Sequence, residues 1–226
     1  MIIKSFELDK IKIKFRYFLF FGENQGHKNE VIKNIFQNKY KESTYSYEEN
    51  EIIINRESFF NTILSKSFFE NEKLILINRA TDKILNIIEE LMEKKIEDLI
   101  IILNANALEK KSKIRSLFEK SKETVCVAFY EDNFQTLSGI TNNFFRTCKV
   151  PISQETINLI VQRARGDRLN LNNELVKIKN YLGDKKKIDI KDILKLTNLA
   201  ENYNVSELVD SCLSKNIKKT INILNE

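Results

Sequence analysis

Residues Arg56 to Asn78 read Arg-Glu-Ser-Phe-Phe-Asn-Thr-Ile-Leu-Ser-Lys-Ser-Phe-Phe-Glu-Asn-Glu-Lys-Leu-Ile-Leu-Ile-Asn. The first half places Phe59, Phe60, Ile63 and Leu64 on one face of a helix. The last part, Leu74-Ile75-Leu76-Ile77, is a continuous apolar run with charge before it. That pattern predicts a strand buried on both faces. Between them, Ser67-Phe68-Phe69-Glu70-Asn71-Glu72-Lys73 sets two adjacent aromatics at a helix exit, beside a polar turn. Neighbours on a helix lie ~100° apart, so one ring can face the core while the other faces water or a partner. Two readings stand. Both rings pack under the turn, as large apolar residues usually do, or they form an apolar plug for a pocket on another protein.

Outward from this stretch, strands alternate with helices. Phe15 to Phe21 is β-prone and ends at Gly22. A helical pattern follows through Val31, Ile32, Ile35 and Phe36. Tyr45-Ser-Tyr47 and Ile52-Ile-Ile54 are β-prone and separated by Glu48, Glu49 and Glu51, which reads as a second strand and a loop into the Arg56 helix. After the Lys73–Asn78 strand come a helix from about Asp82 to Lys94 and a strand from Asp98 to Leu103. A helix from Leu108 to Lys120, with Ile114, Leu117 and Phe118 inward, then leads to a strand from Thr124 to Phe129. The order implies right-handed parallel crossovers and a three-layer α/β domain.

Past Tyr130–Asn133 nothing reads as strand. Ser153 caps a helix carrying Ile157, Ile160, Val161 and Ala164 on one face, ended by Gly166. Asp167 caps the next, with Leu171, Leu175, Ile178 and Leu182 aligned, up to Gly183. Asp189 opens a helix to about Ala200. Helical patterns over Ser206–Leu213 and Ile217–Leu224 then run to Glu226 without a terminal cap, so the chain is expected to be truncated within a further helical element.

The stretch Gly22-Glu-Asn-Gln-Gly-His-Lys-Asn29 sits between strand and helix, where a phosphate-binding loop would lie. The pattern fails in detail. His27 stands five residues after Gly22, Asn29 offers no hydroxyl for magnesium, and acidic Glu23 faces the phosphate approach. Lys28 could meet an anion at a helix start, which keeps a diverged ATPase as one alternative. A strand-to-helix turn retained by the fold is the plainer reading. His27 has no base–nucleophile partners near it in sequence. A nucleic-acid-binding helical module on Arg163, Arg165, Arg168 and Lys177 is a further alternative.

The net charge of +5 is mild for 226 residues. Lysine excess travels here with abundant Asn and Ile, as in AT-rich coding sequences, so only clustering on a surface would give it meaning. Cys126, Cys148 and Cys212 make neither a disulfide framework nor a metal cluster. No apolar run approaches a membrane span, and the first residues lack a signal-peptide core. A cytoplasmic protein is expected, with no cofactor and no metal.

The order of these pieces resembles the delta subunit family of bacterial DNA polymerase III, the clamp-loader subunit that opens the sliding clamp. Tyr17-Phe-Leu-Phe-Phe-Gly-Glu23 looks like the family's first strand and degenerate loop. Ser67-Phe-Phe-Glu-Asn-Glu-Lys-Leu-Ile-Leu-Ile77 looks like its clamp-contact helix end and next strand. Asp98–Asn104, Val125–Asp132 and Gly166–Ile178 look like later elements. The resemblance implies an AAA+-like parallel sheet domain with a degenerate phosphate loop (residues 1–137), a small all-α lid domain (138–203) and the start of a truncated helical collar (204–226). It implies that Phe68 and Phe69 bind the clamp, although Ser67 and Leu64 replace the Pro and Gln that some members carry nearby. Implied partners are the sliding clamp, the ATPase and delta-prime-like loader subunits, and DNA through the assembled complex. No ATP hydrolysis by this chain and no membrane contact are implied.

Overall fold

The computed structural model describes residues 2–10, 15–41, 43–64, 72–96, 98–183, 185–197 and 205–224. It divides into two compact units. The first comprises Met1–Asp132 with Asp167–Leu169, and the second Asn133–Gly166 with Asn170–Glu226.

The first unit is built on a six-stranded sheet. Its strands are β1 (Ile2–Ile3), β2 (Tyr17–Phe21), β3 (Thr44–Glu48), β4 (Lys73–Asn78), β5 (Leu99–Asn104) and β6 (Thr124–Ala128). They lie in the order β1-β6-β2-β5-β4-β3, and every neighbouring pair is parallel. Successive residues point to opposite faces. Leu19, Ile75, Ile77, Ile101, Leu103 and Cys126 join one core. Phe18, Phe20, Leu74, Leu76, Ile100, Ile102, Val125 and Val127 join the other. Both faces are therefore dry, which is why the strands read as unbroken apolar runs.

The helices of this unit are α1 (Gln25–Val31), α2 (Glu49–Ile54), α3 (Arg56–Leu64), α4 (Leu85–Glu93) and α5 (Lys113–Lys120). α1 runs on through a π turn at Ile32–Gln37, and a short 3-10 turn at Asp82–Ile84 leads into α4. The first core is closed by Ile52, Phe59, Ile63, Ile88, Leu91, Ile114 and Phe118. Val31, Ile32 and Phe36 close the second.

Three details differ from the sequence reading. Ile52–Ile54 is helical, because a reciprocal capping box between Glu48 and Glu51 starts α2 ahead of the apolar triplet. Only Ile52 of that triplet is buried, while Ile53 and Ile54 face solvent. The helix expected from Leu108 starts only at Lys113, where Ser112 accepts the Arg115 amide and Asp82 accepts the Lys113 and Ile114 amides at 3.0 Å. The edge strand β1 pairs Ile2 with Cys126 and Ile3 with Val127, too short a run to read in sequence.

The second unit is all helical: α6 (Phe134–Cys148), α7 (Gln154–Arg163), the body of α8 (Arg168–Leu182), α9 (Ile190–Leu196), α10 (Val205–Leu213) and α11 (Ile217–Leu224). Leu137 and Phe145 of α6 pack with Ile157, Ile160 and Val161 of α7, Leu171, Leu175, Ile178 and Leu182 of α8, and Ile193 of α9. α6 had no counterpart in the sequence reading. Its buried stripe is Leu137, Thr141 and Phe145, and Thr141 hides its hydroxyl by donating to the Leu137 carbonyl at 2.9 Å.

The phase of α2 is testable. Ile52→Ala should cost about 2–5 kcal/mol in urea unfolding, the range for emptying a buried aliphatic site. Ile54→Ala should stay within about 0.5 kcal/mol. A strand at these positions would put Ile53 out of phase with both neighbours and make the two costs alike.

Candidate functional site

In a parallel sheet the loops at the C-terminal ends of strands are where ligands gather. Here that rim is formed by Gly22 after β2, Asn78 at the end of β4, Asn104 at the end of β5 with Ala105 after it, and Phe129 after β6. Its polar groups bond mainly to each other. Gly22 turns with φ +123°, and its amide donates to the Asn106 carbonyl at 3.1 Å. A β-carbon there would meet the Phe129 carbonyl oxygen at 2.2 Å, so the turn needs glycine for space as well as for backbone angle.

Asn24 holds the loop from within. Its side-chain oxygen caps α1 by accepting the His27 amide at 3.0 Å. Its side-chain nitrogen donates to the Tyr130 carbonyl and to Asp132 Oδ2, at 2.9 and 2.8 Å. The amides of Gln25 and Lys28 donate to Glu23 and Asn24 carbonyls, and that of Asn24 to Phe129. A phosphate cradle needs such amides turned outward. These five, from Gly22, Asn24, Gln25, His27 and Lys28, are used inside the chain.

Lys28 is fully buried, and its Nζ donates to the Ala105 carbonyl at 2.6 Å. Burial pushes its pKa down to about 8. His27 stacks edge-on against Phe129 with ring centres 5.1 Å apart. Burial, with the nearby Arg168 charge, lowers its pKa against the opposing pull of Asp132 and Glu30.

Arg168, the first residue of α8, belongs to the first unit and is 8% exposed. Its Nε and Nη2 donate to Asp132 Oδ2 and Oδ1 at 2.6 and 2.7 Å, and its Nη1 to Glu30 Oε2 at 3.2 Å. Burial would raise the Asp132 pKa, but the bonds from Arg168 and Asn24 outweigh it and hold the carboxylate below its usual range. Beside this pair, a β-carbon on Gly26 would meet the Leu169 backbone nitrogen at 2.5 Å. The start of α8 thus covers the start of α1. Nothing local in sequence signals this junction, because Glu30 and Arg168 lie 138 positions apart.

The other cations singled out in sequence are engaged as well. Arg163 donates to the Leu194 carbonyl at 3.0 Å and also to Thr197. Lys177 pairs with Glu174 at 2.6 Å. Arg165 has partners too. Phe68 and Phe69 lie outside the described residues. The helix before them, α3, buries Phe59 and Ile63, half-buries Phe60 and leaves Leu64 exposed. Among the described residues no group of His, Cys, Asp and Glu could hold a metal ion, and no helix is long and apolar enough to cross a membrane.

Lys28 gives this site a pH signature. Its folded pKa of about 8 lies below the ordinary 10.5, so between those values the unfolded chain binds more protons. Stability must then rise with pH across that window. In urea unfolding from about pH 8 to 10.5, the protein should gain stability relative to Lys28→Met. A constant difference between the two would mean that the amine is not buried.

Comparison with known proteins places these features. Residues 18–131 match the family described as DNA polymerase III, delta subunit, over just over half of the chain. No curated protein matches the sequence. Among solved structures, the DNA clamp loader delta protein of Bacillus subtilis is similar with a TM-score of 0.57 and 14% identity, over 98% of this chain and 68% of that one. The RuvB Holliday junction branch migration motor of Thermotoga maritima is similar with a TM-score of 0.54 and 11% identity, over 88% of this chain and 69% of that one. At these identities the structures speak for the fold, an AAA+-like α/β domain followed by helices. With the family match across most of the sheet domain, the chain belongs to the DNA polymerase III delta subunit family.

Proposed function

We propose that this chain is the subunit of a replicative clamp loader that binds and opens the sliding clamp and does not itself hydrolyse ATP. The observation that carries the reading is the delta-subunit match across residues 18–131, which takes in Phe68 and Phe69. These two rings are the proposed clamp contact. Inserted into a pocket on the clamp, they supply binding energy at ~25 cal/mol per Å2 of apolar area buried. Part of that offsets the cost of association. The remainder opens a ring interface only if the open clamp is bound better than the closed one.

The absence of hydrolysis is supported by the loop at Gly22–Lys28, where five amides and the lysine are engaged within the chain. Partner subunits with intact phosphate loops would set when the rings are available. The proposed domains are the AAA+-like sheet domain at 1–137, a lid at 138–203 and the start of a collar from 204. Val209, Leu213, Ile217, Ile221 and Leu224 of α10 and α11 are exposed apolar residues suited to packing against ATPase and delta-prime-like subunits. DNA is met through that assembly, in the cytoplasm.

Two measurements test the reading. Phe68→Ala with Phe69→Ala should weaken capture of the cognate clamp roughly a thousandfold, as for two anchors of about 2 kcal/mol each. The circular dichroism spectrum and melting temperature should stay as in the parent. Unchanged capture would remove both rings from the mechanism. Equilibrium titration with ATP and magnesium should show no saturable binding. Saturable binding lost in Lys28→Met would favour a diverged ATPase instead.

A further inference from the structure

A parallel sheet has a second rim, where its strands begin, opposite the one that carries Gly22 and Asn104. β2 starts there at Tyr17, β4 at Lys73, β5 at Leu99 and β6 at Thr124. A pocket of about 380 Å3 opens on this rim. Phe15, Met92 and Ile96 give it an apolar surface, each half-buried and packed against one of the two cores. Arg16, Lys95 and Lys122 bring positive charge, and Glu123 is the one carboxylate among the described lining residues.

The two lysines are not committed elsewhere. Both are exposed, and among the described residues neither has an ion pair or a side-chain hydrogen bond. The Tyr17 hydroxyl, by contrast, is used inside, donating to the Leu91 carbonyl at 2.8 Å. Arg16 reaches along the rim, where its Nη1 donates to Glu72 Oε1 at 2.7 Å. Glu72 Oε2 accepts from the Tyr40 hydroxyl at 2.8 Å. These bonds fasten the residue just before β4 to a side chain of the pocket wall. Phe69 stands three positions before Glu72, a chain span of at most ~11 Å. The segment that carries the two rings therefore enters the sheet beside the pocket.

We propose that this pocket is a second contact for the sliding clamp, taking an apolar side chain that stands between acidic residues on the clamp surface. The proposal rests on the clamp-binding reading above. Covalent continuity selects the partner, since a protein held by Phe68 and Phe69 is brought to this end of the sheet. Charge and shape select the contact. Lys95 and Lys122 attract carboxylates, while Phe15, Met92 and Ile96 reward an apolar group between them. A purely polar polyanion would leave that apolar surface unused. The two contacts divide the work. Buried aromatic anchors hold the complex and set its dissociation. Exposed charges at the edge of a contact guide the encounter and set its rate and salt dependence.

The test is surface plasmon resonance of the full chain on immobilised cognate clamp, across a salt series beginning at about 50 mM. Lys95→Glu with Lys122→Glu should lower the association rate at least about tenfold at the lowest salt and flatten its salt dependence. Phe68→Ala with Phe69→Ala should act mainly on the dissociation rate and keep the parent's salt dependence. Lys186→Glu with Lys187→Glu makes the same charge change at exposed sites in the second unit and should leave the association rate within about twofold. Loss of capture in the ring variant, with parental rates and salt dependence in the Lys95 and Lys122 variant, would overturn the pocket and spare the rings. An equal loss in the control would also overturn the pocket. The absence of capture by the parent would remove both contacts.

Discussion

A parallel sheet covered on both faces leaves polar groups almost nowhere to go but its ends. β2, β4, β5 and β6 contribute alternate residues to two separate cores, and most of those residues are fully buried. The thiol of Cys126, in the middle of β6, has its pKa pushed up to about 12 by that burial. Polar chemistry is therefore confined to the rim where the strands end. At that rim the Gly22 amide bonds to the Asn106 carbonyl, Asn24 to Asp132, the Lys28 amine to the Ala105 carbonyl and the Asn104 side-chain nitrogen to Asn78.

This is why the loop between β2 and α1 turns most of its polar groups back onto the chain. Gly22 keeps the tight turn because the Phe129 carbonyl occupies the space of a side chain. Lys28 keeps its position one residue from the cap-bonded His27, but its amine closes onto the Ala105 carbonyl and ties α1 to β5. Gly22, Asn24 and Lys28 thereby join β2, α1 and β5 at one rim.

Much of the fold was legible because burial writes itself into sequence as period and run. Leu74-Ile75-Leu76-Ile77 could be only a doubly buried segment, and Leu171, Leu175, Ile178 and Leu182 could share only a helical face; both sets are buried. What escaped was what depends on partners distant in the chain or on capping. Ile52–Ile54 looked like strand until the Glu48–Glu51 box fixed the helix phase. Thr141 broke the apolar stripe of α6, though its hydroxyl is satisfied one turn back. The Arg168–Asp132–Glu30 cluster has no local signature, and no spacing rule could show that Lys28 turns inward. The meeting of Lys95 and Lys122 beside one pocket needed a surface before it could be seen.

The strand order also shapes how the chain must emerge from the ribosome. β2 is made early, yet both of its neighbours, β5 and β6, come from residues 99–128. Until those residues leave the exit tunnel, Phe18 and Phe20 have no sheet to join. β1 waits for the same late segment, since Ile2 and Ile3 pair with Cys126 and Val127. The nascent sheet domain thus carries unpaired, strongly apolar edges through more than half of its translation, the condition in which holding chaperones matter most. Completion of β6 is the moment when the domain becomes able to close as a unit.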